Sequence, residues 1–319
     1  MNDILTRIGE FGIVPVVKID KAEDAIPLGK ALIEGDLPIA EITFRTSAAK
    51  DAIQALTEKL PELFVGAGTV LTVEQAKLAV AAGARFIVSP GFNHKVVDYC
   101  LENNIVVTPG VNNPTQIEMA LEKGLKIVKF FPAEASGGLV LLKALSGPFS
   151  EIKFIPTGGI DQNNLLSYLA HRQVHACGGS WMVKPELISS GNFKEITALT
   201  REAVSLMLGF QLTHLGINEE NEDSALSCAH LLSSTFNFPV KNGSSSIFAG
   251  LGFEVMKKRY LGEHGHIAIA TNDMVRAIAF LKRKGISVLP ETAKESEGKL
   301  KAIYLEMNLS GFAIHLIGK

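Results

Sequence analysis

The sequence predicts an α/β protein of two domains: a TIM (β/α)8 barrel over residues 1–209, then a smaller α+β domain of paired βαβββ units over 210–319. Three observations predict it. From Gly12 to about Leu208 a strand-then-helix unit recurs about every 20–26 residues, the pattern of parallel strands joined by crossover helices. Polar residues and glycines sit at the ends of nearly every strand, whereas no GxGxxG follows the first, which favours a barrel over a doubly wound sheet. After Leu208 the period stops, and one order of strand, helix and strands is written twice.

Taken in order, the barrel strands are predicted at Ile13–Ile19, Pro38–Phe44, Leu63–Val70, Phe86–Pro90, Ile105–Val111, Ile127–Pro132, Phe154–Gly159 and Val174–Ser180. Helical periodicity fills the gaps, as in Val73–Ala82 and Pro114–Lys123, where Pro114 suits a first helical turn. In the second domain, strands are predicted at Gln211–Asn218, Ser246–Ala249 and Phe253–Lys258, around a helix at Ala225–Ser234. The second copy has strands at His266–Ala270, near Ile303–Leu309 and at Ala313–Ile317, with a helix at Met274–Lys284. The acidic run Glu219–Asp223 and the run Asn242–Ser246 read as solvated loops.

Composition excludes several function classes. With 47% hydrophobic and 20% charged residues, the 319-residue chain has material for a full core. A formal charge of −2 gives no electrostatic case for nucleic acid or an anionic membrane. No run approaches the roughly 20 apolar residues of a membrane span. The first residues carry an early acid, Asp3, and lack a signal peptide's apolar core. Cys100, Cys177 and Cys228 are scattered without a CxxC and read as reduced thiols. The expectation is a cytoplasmic protein.

The chemistry is expected at the strand ends. Lys129 lies on the run Leu125–Pro132, otherwise too apolar to hold a lysine, and alternation puts it on one face with Ile127 and Phe131. Burial disfavours the charged form of an amine and frees a nucleophile able to form a Schiff base with a ketone. On this strand alone, a lysine snorkelling to solvent reads equally well. Glu41, Thr43 and Arg45 share a face of the second strand, where carboxylate and guanidinium would neutralise each other. They suit either an acid/base group beside a carboxylate-binding group or a structural ion pair. Gly66-Ala67-Gly68-Thr69-Val70 offers bare backbone and a hydroxyl, and Ser89-Pro90-Gly91 is a tight turn. The glycine pairs Gly158-Gly159 and Gly178-Gly179, at the last two strand ends, are where barrels cradle a phosphate on backbone N–H groups.

Together with Glu41-Ile42-Thr43-Phe44-Arg45-Thr46, Lys129-Phe130-Phe131-Pro132-Ala133-Glu134, Pro156-Thr157-Gly158-Gly159-Ile160 and Gly178-Gly179-Ser180-Trp181, these motifs resemble the bifunctional KDPG/KHG aldolases from roughly Ile4 to Leu208. The resemblance implies a class I aldolase cleaving 2-keto-3-deoxy-6-phosphogluconate (KDPG) to pyruvate and glyceraldehyde 3-phosphate. It also implies 4-hydroxy-2-oxoglutarate (KHG) as a second substrate. A KHG-preferring or galactonate-series aldolase is the alternative. Lys129 would form the Schiff base and Glu41 would shuttle protons. Arg45, Thr69 and Pro90 would hold the pyruvate end, Phe131 would pack on it, and Thr157 would meet the hydroxylated region. Gly158, Gly159, Gly179 and Ser180 would receive the phosphate. The family's imine chemistry needs no metal cofactor, and its members form homotrimers. Asn113, Gln116 and Lys18 depart from residues common in the family.

The second domain, with Thr213-His214-Leu215-Gly216-Ile217 on its first strand, resembles the vicinal oxygen chelate fold of glyoxalase I and extradiol dioxygenases. The resemblance implies a divalent metal held by His214, Glu254, His266 and His315. His315 stands where a glutamate is usual, which removes a glyoxalase's acid/base group. A metal-free scaffold fits the sequence as well as a metal site does. A separate lyase or dioxygenase activity, or a ligand-sensing module, is a further reading.

Overall fold

Short apolar strands alternate with helices through the first part of the computed structural model, which describes residues 2–319. The chain divides into two compact units between Met207 and Leu208. In chain order the first comprises α1 (Asn2–Phe11), β1 (Ile13–Val17), α2 (Ala25–Glu34), β2 (Ile39–Thr43), α3 (Ala49–Lys59), β3 (Phe64–Gly68), α4 (Val73–Ala81), β4 (Phe86–Val88) and α5 (His94–Glu102). It continues with β5 (Val106–Thr108), β6 (Gly110–Val111), α6 (Pro114–Glu122), β7 (Ile127–Phe130), α7 (Gly138–Ser146), β8 (Lys153–Pro156), α8 (Leu165–Leu169), β9 (Cys177–Gly179), α9 (Pro185–Ser189) and α10 (Phe193–Leu208).

All pairings among these strands are parallel. One sheet runs β5-β4-β3-β2-β1-β9 and a second runs β6-β7-β8. The sequence reads a single fifth strand over Ile105–Val111. Here Pro109, which has no N–H to give a ladder, separates β5 from β6. Isolated parallel bridges join Phe154 to Val174 and Thr157 to Gly178. Strands covered on both faces need continuous apolar runs, and every residue of β2, β3, β4 and β7 is buried. Helix starts follow capping chemistry. Thr72 accepts from the Gln75 amide, and Asn113 accepts from the Gln116 amide at 3.1 Å. Gln116 Oε1 in turn accepts from the Asn112 amide at 2.9 Å, so the two family departures here form a mutual cap.

The helix α1 was not anticipated. It buries Ile8 and Phe11, and Leu5 O lies 2.7 Å from His175 Nε2. Ile8 lines a small internal void with Val14, Glu41, Phe86, Val88, Thr108, Lys129, Ile155 and Thr157, so α1 closes the interior beneath the lysine.

The second unit comprises β10 (Gln211–Asn218), α11 (Glu222–Phe236), β11 (Val240–Asn242), β12 (Ser246–Ala249), β13 (Phe253–Met256), β14 (Gly265–Thr271), α12 (Met274–Arg283), β15 (Val288–Ser296), β16 (Lys299–Leu309) and β17 (Phe312–Gly318). They form one eight-stranded sheet, ordered β11-β12-β13-β10-β14-β17-β16-β15. Each half is a βαβββ unit, and the halves meet where β10 and β14 pair antiparallel. Ala225 and Ala229 of α11 pack on Ile247, Ala249 and Val255, leaving alternate residues of β12 and β13 for the opposite face. Two loop assignments are corrected. Asn242 ends β11 and Ser246 opens β12, where Ser246 is buried. The acidic run contains a capping box, with Asn221 and Ser224 bonding each other's backbone, and Glu222 and Asp223 favour the positive helix start. Among the described residues, no helix is long and apolar enough to cross a membrane.

Candidate functional site

A cavity of about 320 Å³ opens at the carboxyl ends of the first unit's strands. Lys129, Arg45, Thr69, Pro90, Phe131, Thr157, Gly158, Gly159, Gly179 and Ser180 all line it. Motifs separated by more than a hundred residues of sequence thus converge on one space. Val16, Thr43, Ile160 and Gly178 complete the lining described here. Val16, a plain apolar residue, carried no signal in sequence, and Ile160 was noted only as the end of a glycine motif.

Glu41 does not line the cavity. Its carboxylate lies beneath, where Lys129 Nζ donates to Glu41 Oε1 at 3.2 Å. Both residues are only 4% exposed, so neither charge has water to fall back on and each requires the other. The close approach depends on Gly68: a Cβ there would stand 2.1 Å from Glu41 Oε1. This corrects the expected Glu41–Arg45 neutralisation. Arg45 lies past the end of β2, and its Nε donates to Thr43 Oγ1 at 3.0 Å while Thr43 Oγ1 donates to Val17 O. Arg45 is therefore held at the rim, with no carboxylate partner in contact among the described residues. Among the described lining residues the charged side chains are Arg45 and Lys129, both cations, so the cavity suits an anionic ligand.

Three further features shape the space. The Phe131 ring centroid lies 5.3 Å from Lys129 Nζ, an apolar wall beside the amine. Gly158 and Gly159 have φ of 96° and 83°, which a side chain would rarely tolerate, and they turn the backbone at the far wall. Thr69 has φ of 54°, a left-handed backbone that is a genuine outlier for a β-branched residue. Behind that wall the Glu134 and Ala133 amides donate to Gly158 O and Thr157 O, and the Tyr168 hydroxyl donates to Glu134. Burial, then the Glu134 hydrogen bond and charge, pushes the Tyr168 phenol well above its ordinary value. Lys18, the remaining candidate at the mouth, is instead paired with Asp20 at 2.7 Å.

The second unit brings its four candidates together. One potential ligand atom from each of His214, His266 and His315 lies within 4.8 Å of the others. Glu254 Oε2 stands 3.0 Å from His214 Nε2 and 3.1 Å from His266 Nε2, while Ser246 donates to its Oε1 at 2.6 Å. Burial alone would raise the Glu254 carboxyl. The bonds from His214, His266 and Ser246 outweigh it and hold the group well below the usual carboxylate range. Burial, then the neighbouring histidines, depresses His315 to about 3, so it is neutral at neutral pH. Its buried Nε2 has no hydrogen-bond partner among the described residues.

Register explains the convergence. Gly216 pairs with His266 and His214 with Ala268, so a local two-fold axis exchanges His214 with His266 and Gly216 with Ala268. Glu254 pairs with Gly216, and His315 with Ala268, so Glu254 and His315 are exchanged as well. Their outer neighbours, Phe248 and Tyr304, are the next equivalent pair. Tyr304 and Ser246 were missed in sequence, since only the pairing puts them beside the cluster.

A sequence model described as "Aldolase: KDPG and KHG aldolase" matches residues 4–199. The chain is 49% identical over 207 residues to a 2-dehydro-3-deoxy-phosphogluconate aldolase of Treponema pallidum, covering 65% of this chain and 99% of that protein. It is 43% identical over 192 residues to a KHG/KDPG aldolase of Escherichia coli K12, covering 60% and 90%. Among solved structures, it is similar to a KDPG aldolase of Legionella pneumophila with pyruvate captured as a covalent carbinolamine. That likeness has a TM-score of 0.61 at 39% identity and covers 62% of this chain and 97% of the other. A Zymomonas mobilis KDPG aldolase with 3-phosphoglycerate matches with a TM-score of 0.58 at 37% identity, covering 64% and 95%.

Proposed function

Because the chain belongs to the KDPG and KHG aldolase family, we propose that its first unit cleaves 2-keto-3-deoxy-6-phosphogluconate to pyruvate and glyceraldehyde 3-phosphate through a Schiff base on Lys129. The observation that carries this reading is the buried Lys129 amine, 3.2 Å from a buried carboxylate at the floor of a cation-lined cavity. Glu41 accepts a proton from Lys129, the freed Nζ amine attacks the C2 ketone to give a carbinolamine, and the Glu41 proton leaves with the carbinolamine hydroxyl as water to give an iminium and restore the carboxylate. Glu41 takes the C4 hydroxyl proton as the C3–C4 bond breaks, and the electron pair of that bond moves into the iminium to leave an enamine. The aldehyde departs. A proton returned to C3 and hydrolysis of the imine release pyruvate and restore Lys129.

The remaining lining divides by charge. Arg45, Thr69 and Pro90 hold the carboxylate end, Phe131 covers the reacting carbons and Thr157 meets the hydroxylated region. Gly158, Gly159, Gly179 and Ser180 cradle the phosphate on backbone N–H groups. KHG, which has no phosphate, is a poorer second substrate because it forgoes that binding in the transition state. The eight strand segments close as one barrel within domain 1–209, and the functional assembly is a homotrimer, which sedimentation of the purified chain tests. Borohydride reduction in the presence of pyruvate tests the chemistry: the adduct belongs on the peptide carrying Lys129. A label on another lysine would overturn the assignment.

Domain 210–319 is a vicinal-oxygen-chelate domain whose four side chains hold a divalent metal. Two features support the fit: the orphaned His315 Nε2 faces a cluster of imidazoles, and one Glu254 oxygen already serves two of them. Three imidazoles and a carboxylate suit a first-row ion such as zinc, nickel or cobalt. When bound, such an ion supplies Lewis acidity towards an oxygen ligand. His214, His266, His315 and Glu254 would bind it, and Ser246 would orient the carboxylate.

A further inference from the structure

The glycine turn at the far wall of the first unit's cavity is held from behind at two successive carbonyls. Gly158 O accepts from the Glu134 amide at 3.0 Å, and Gly159 O accepts from Asn164 Nδ2 at 2.9 Å. Both peptides are trans, so fixing each carbonyl points the N–H of the following residue the opposite way. The amides aimed in this manner belong to Gly159 and Ile160, which both line the cavity. No carbonyl among the described residues accepts from either. The other face of Gly159 is filled, since a Cβ there would stand 2.6 Å from Glu134 Cβ and Cγ.

One helix steadies both ties. Asn164 stands immediately before α8, and Tyr168 follows one turn later, its amide bonded to Asn164 O at 3.2 Å. Asn164 Oδ1 accepts from the Asp161 amide at 3.0 Å while Nδ2 serves Gly159 O, so both ends of the side chain are used. Tyr168, 1% exposed, donates to Glu134, the residue whose amide holds Gly158 O. The two ties differ in kind. Main chain holds Gly158 O, but a side chain holds Gly159 O, so the aim of the Ile160 N–H depends on which residue stands at 164.

That aim matters because no side-chain charge substitutes for it. The charged side chains of the described lining are Arg45 and Lys129, which the proposed reaction gives to the carboxylate and the ketone. A phosphate at the glycine turn is therefore recognised by hydrogen bonds, which weaken steeply as the N–H swings off line.

We propose that Asn164 is a positioning residue for a phosphorylated substrate, holding Gly159 O so that the Ile160 N–H joins that of Gly159 on the phosphate. Asn164 acts through the backbone and not on the reacting atoms. The inference rests on the reading that this turn receives the phosphate, and adds the Ile160 donor and the residue that aims it.

The test compares Asn164→Ala with the parent chain on KDPG and on KHG, which lacks the phosphate. KM for KDPG is expected to rise about tenfold with kcat changed less, the scale of weakening a hydrogen bond to a charged group. KHG cleavage and borohydride trapping of pyruvate are expected to stay within about twofold, because neither uses the phosphate contacts. Asn164→Asp keeps the acceptor for the Asp161 amide and loses the donor to Gly159 O. Compared with the parent in about 1 M salt, where charges are screened beyond about 3 Å, it is expected to show the same selective loss. This second variant decides the matter if Asn164→Ala misfolds and traps no pyruvate. An unchanged KM for KDPG in a variant that traps pyruvate normally, or an equal loss on KDPG and KHG, would overturn the inference alone. A parent chain that cleaves both substrates equally well would instead remove the phosphate reading, and the inference with it.

Discussion

The two units bury ionisable side chains on opposite terms. In the first, a cation and an anion face each other, Lys129 against Glu41, and the reactive amine touches the cavity while its carboxylate lies below. In the second, one carboxylate serves two of three clustered imidazoles, and no ammonium or guanidinium group stands in contact with it among the described residues. The first arrangement is complete as it stands, because opposite charges in low dielectric compensate each other. The second gives Glu254 hydrogen-bond partners but leaves His315 Nε2 and His266 Nδ1 without one among the described residues. The first site is thus self-sufficient in charge, whereas an ion at the second, as proposed, would engage the His315 nitrogen left over.

Removing the central group of each site is the largest perturbation. Lys129→Ala is expected to reduce kcat/KM for KDPG cleavage by on the order of 10⁵-fold, the scale of losing a nucleophile, and to abolish borohydride trapping of pyruvate. Because the Glu41 carboxylate then lies buried without a partner, the variant should also lose about 3 kcal/mol of stability in denaturant titration. Adding Glu41→Gln should recover much of that stability and none of the activity. Were trapping to continue on another lysine, the self-sufficiency of the first site would be an accident of packing.

Glu41→Gln alone should be milder, about 10²–10⁴-fold in kcat, because proton transfer is lost and imine formation remains open to solvent catalysis. Pyruvate trapping should persist at a reduced rate, and an unchanged kcat would remove Glu41 from the proton relay. The counterpart in the second unit is Glu254→Ala. It should lower divalent-metal affinity by about 100-fold or more, exceeding the loss expected from a supporting group alone, while leaving aldolase kinetics unchanged. Direct metal analysis after dialysis checks the first part and the retro-aldol assay the second.

How much of this was legible in the sequence differs between the units for a physical reason. In the first, chemistry sits at strand ends, so glycines and polar residues punctuate apolar runs and can be read in one dimension. Lys129, Arg45, Thr69 and Thr157 were all found in this way, and all reach the one cavity. What escaped there depends on three-dimensional closeness. The helix α1 seals the interior through Ile8, and Glu41 turns towards Lys129 because Gly68 leaves the space for it. Face alternation grouped Glu41 with Arg45 but could not show that the strand ends between them, which leaves Arg45 at the rim and Glu41 against Lys129. In the second unit the histidines were found through a resemblance, and their equivalence was invisible. It follows from the pairs Gly216–His266 and Ala268–His315, which no local pattern encodes. Tyr304 is one tyrosine on a long strand until β17 lays His315 against it.

The smallest expected effect sharpens the contrast from the side of the backbone. Thr69 carries φ of 54° at the cavity, and a β-branched residue in that conformation costs about 1–2 kcal/mol. Thr69→Gly releases this strain but makes the unfolded chain more flexible, which takes back about 0.5–1 kcal/mol. The net gain in stability is therefore at most about 1.5 kcal/mol, a rise of no more than roughly 3–6 °C in Tm for a domain of this size. If the strain holds the backbone against the carboxylate end of the substrate, the same variant should bind pyruvate more weakly and raise KM, with kcat affected less. Thr69→Asn, which tolerates the left-handed region and keeps a polar side chain, should retain KM closer to that of the parent chain. A glycine variant that is no more stable and has an unaltered KM would mean that the conformation is incidental to the site. Calorimetry and steady-state kinetics on the same preparation decide the matter, because only a strained functional residue moves stability and KM upward together.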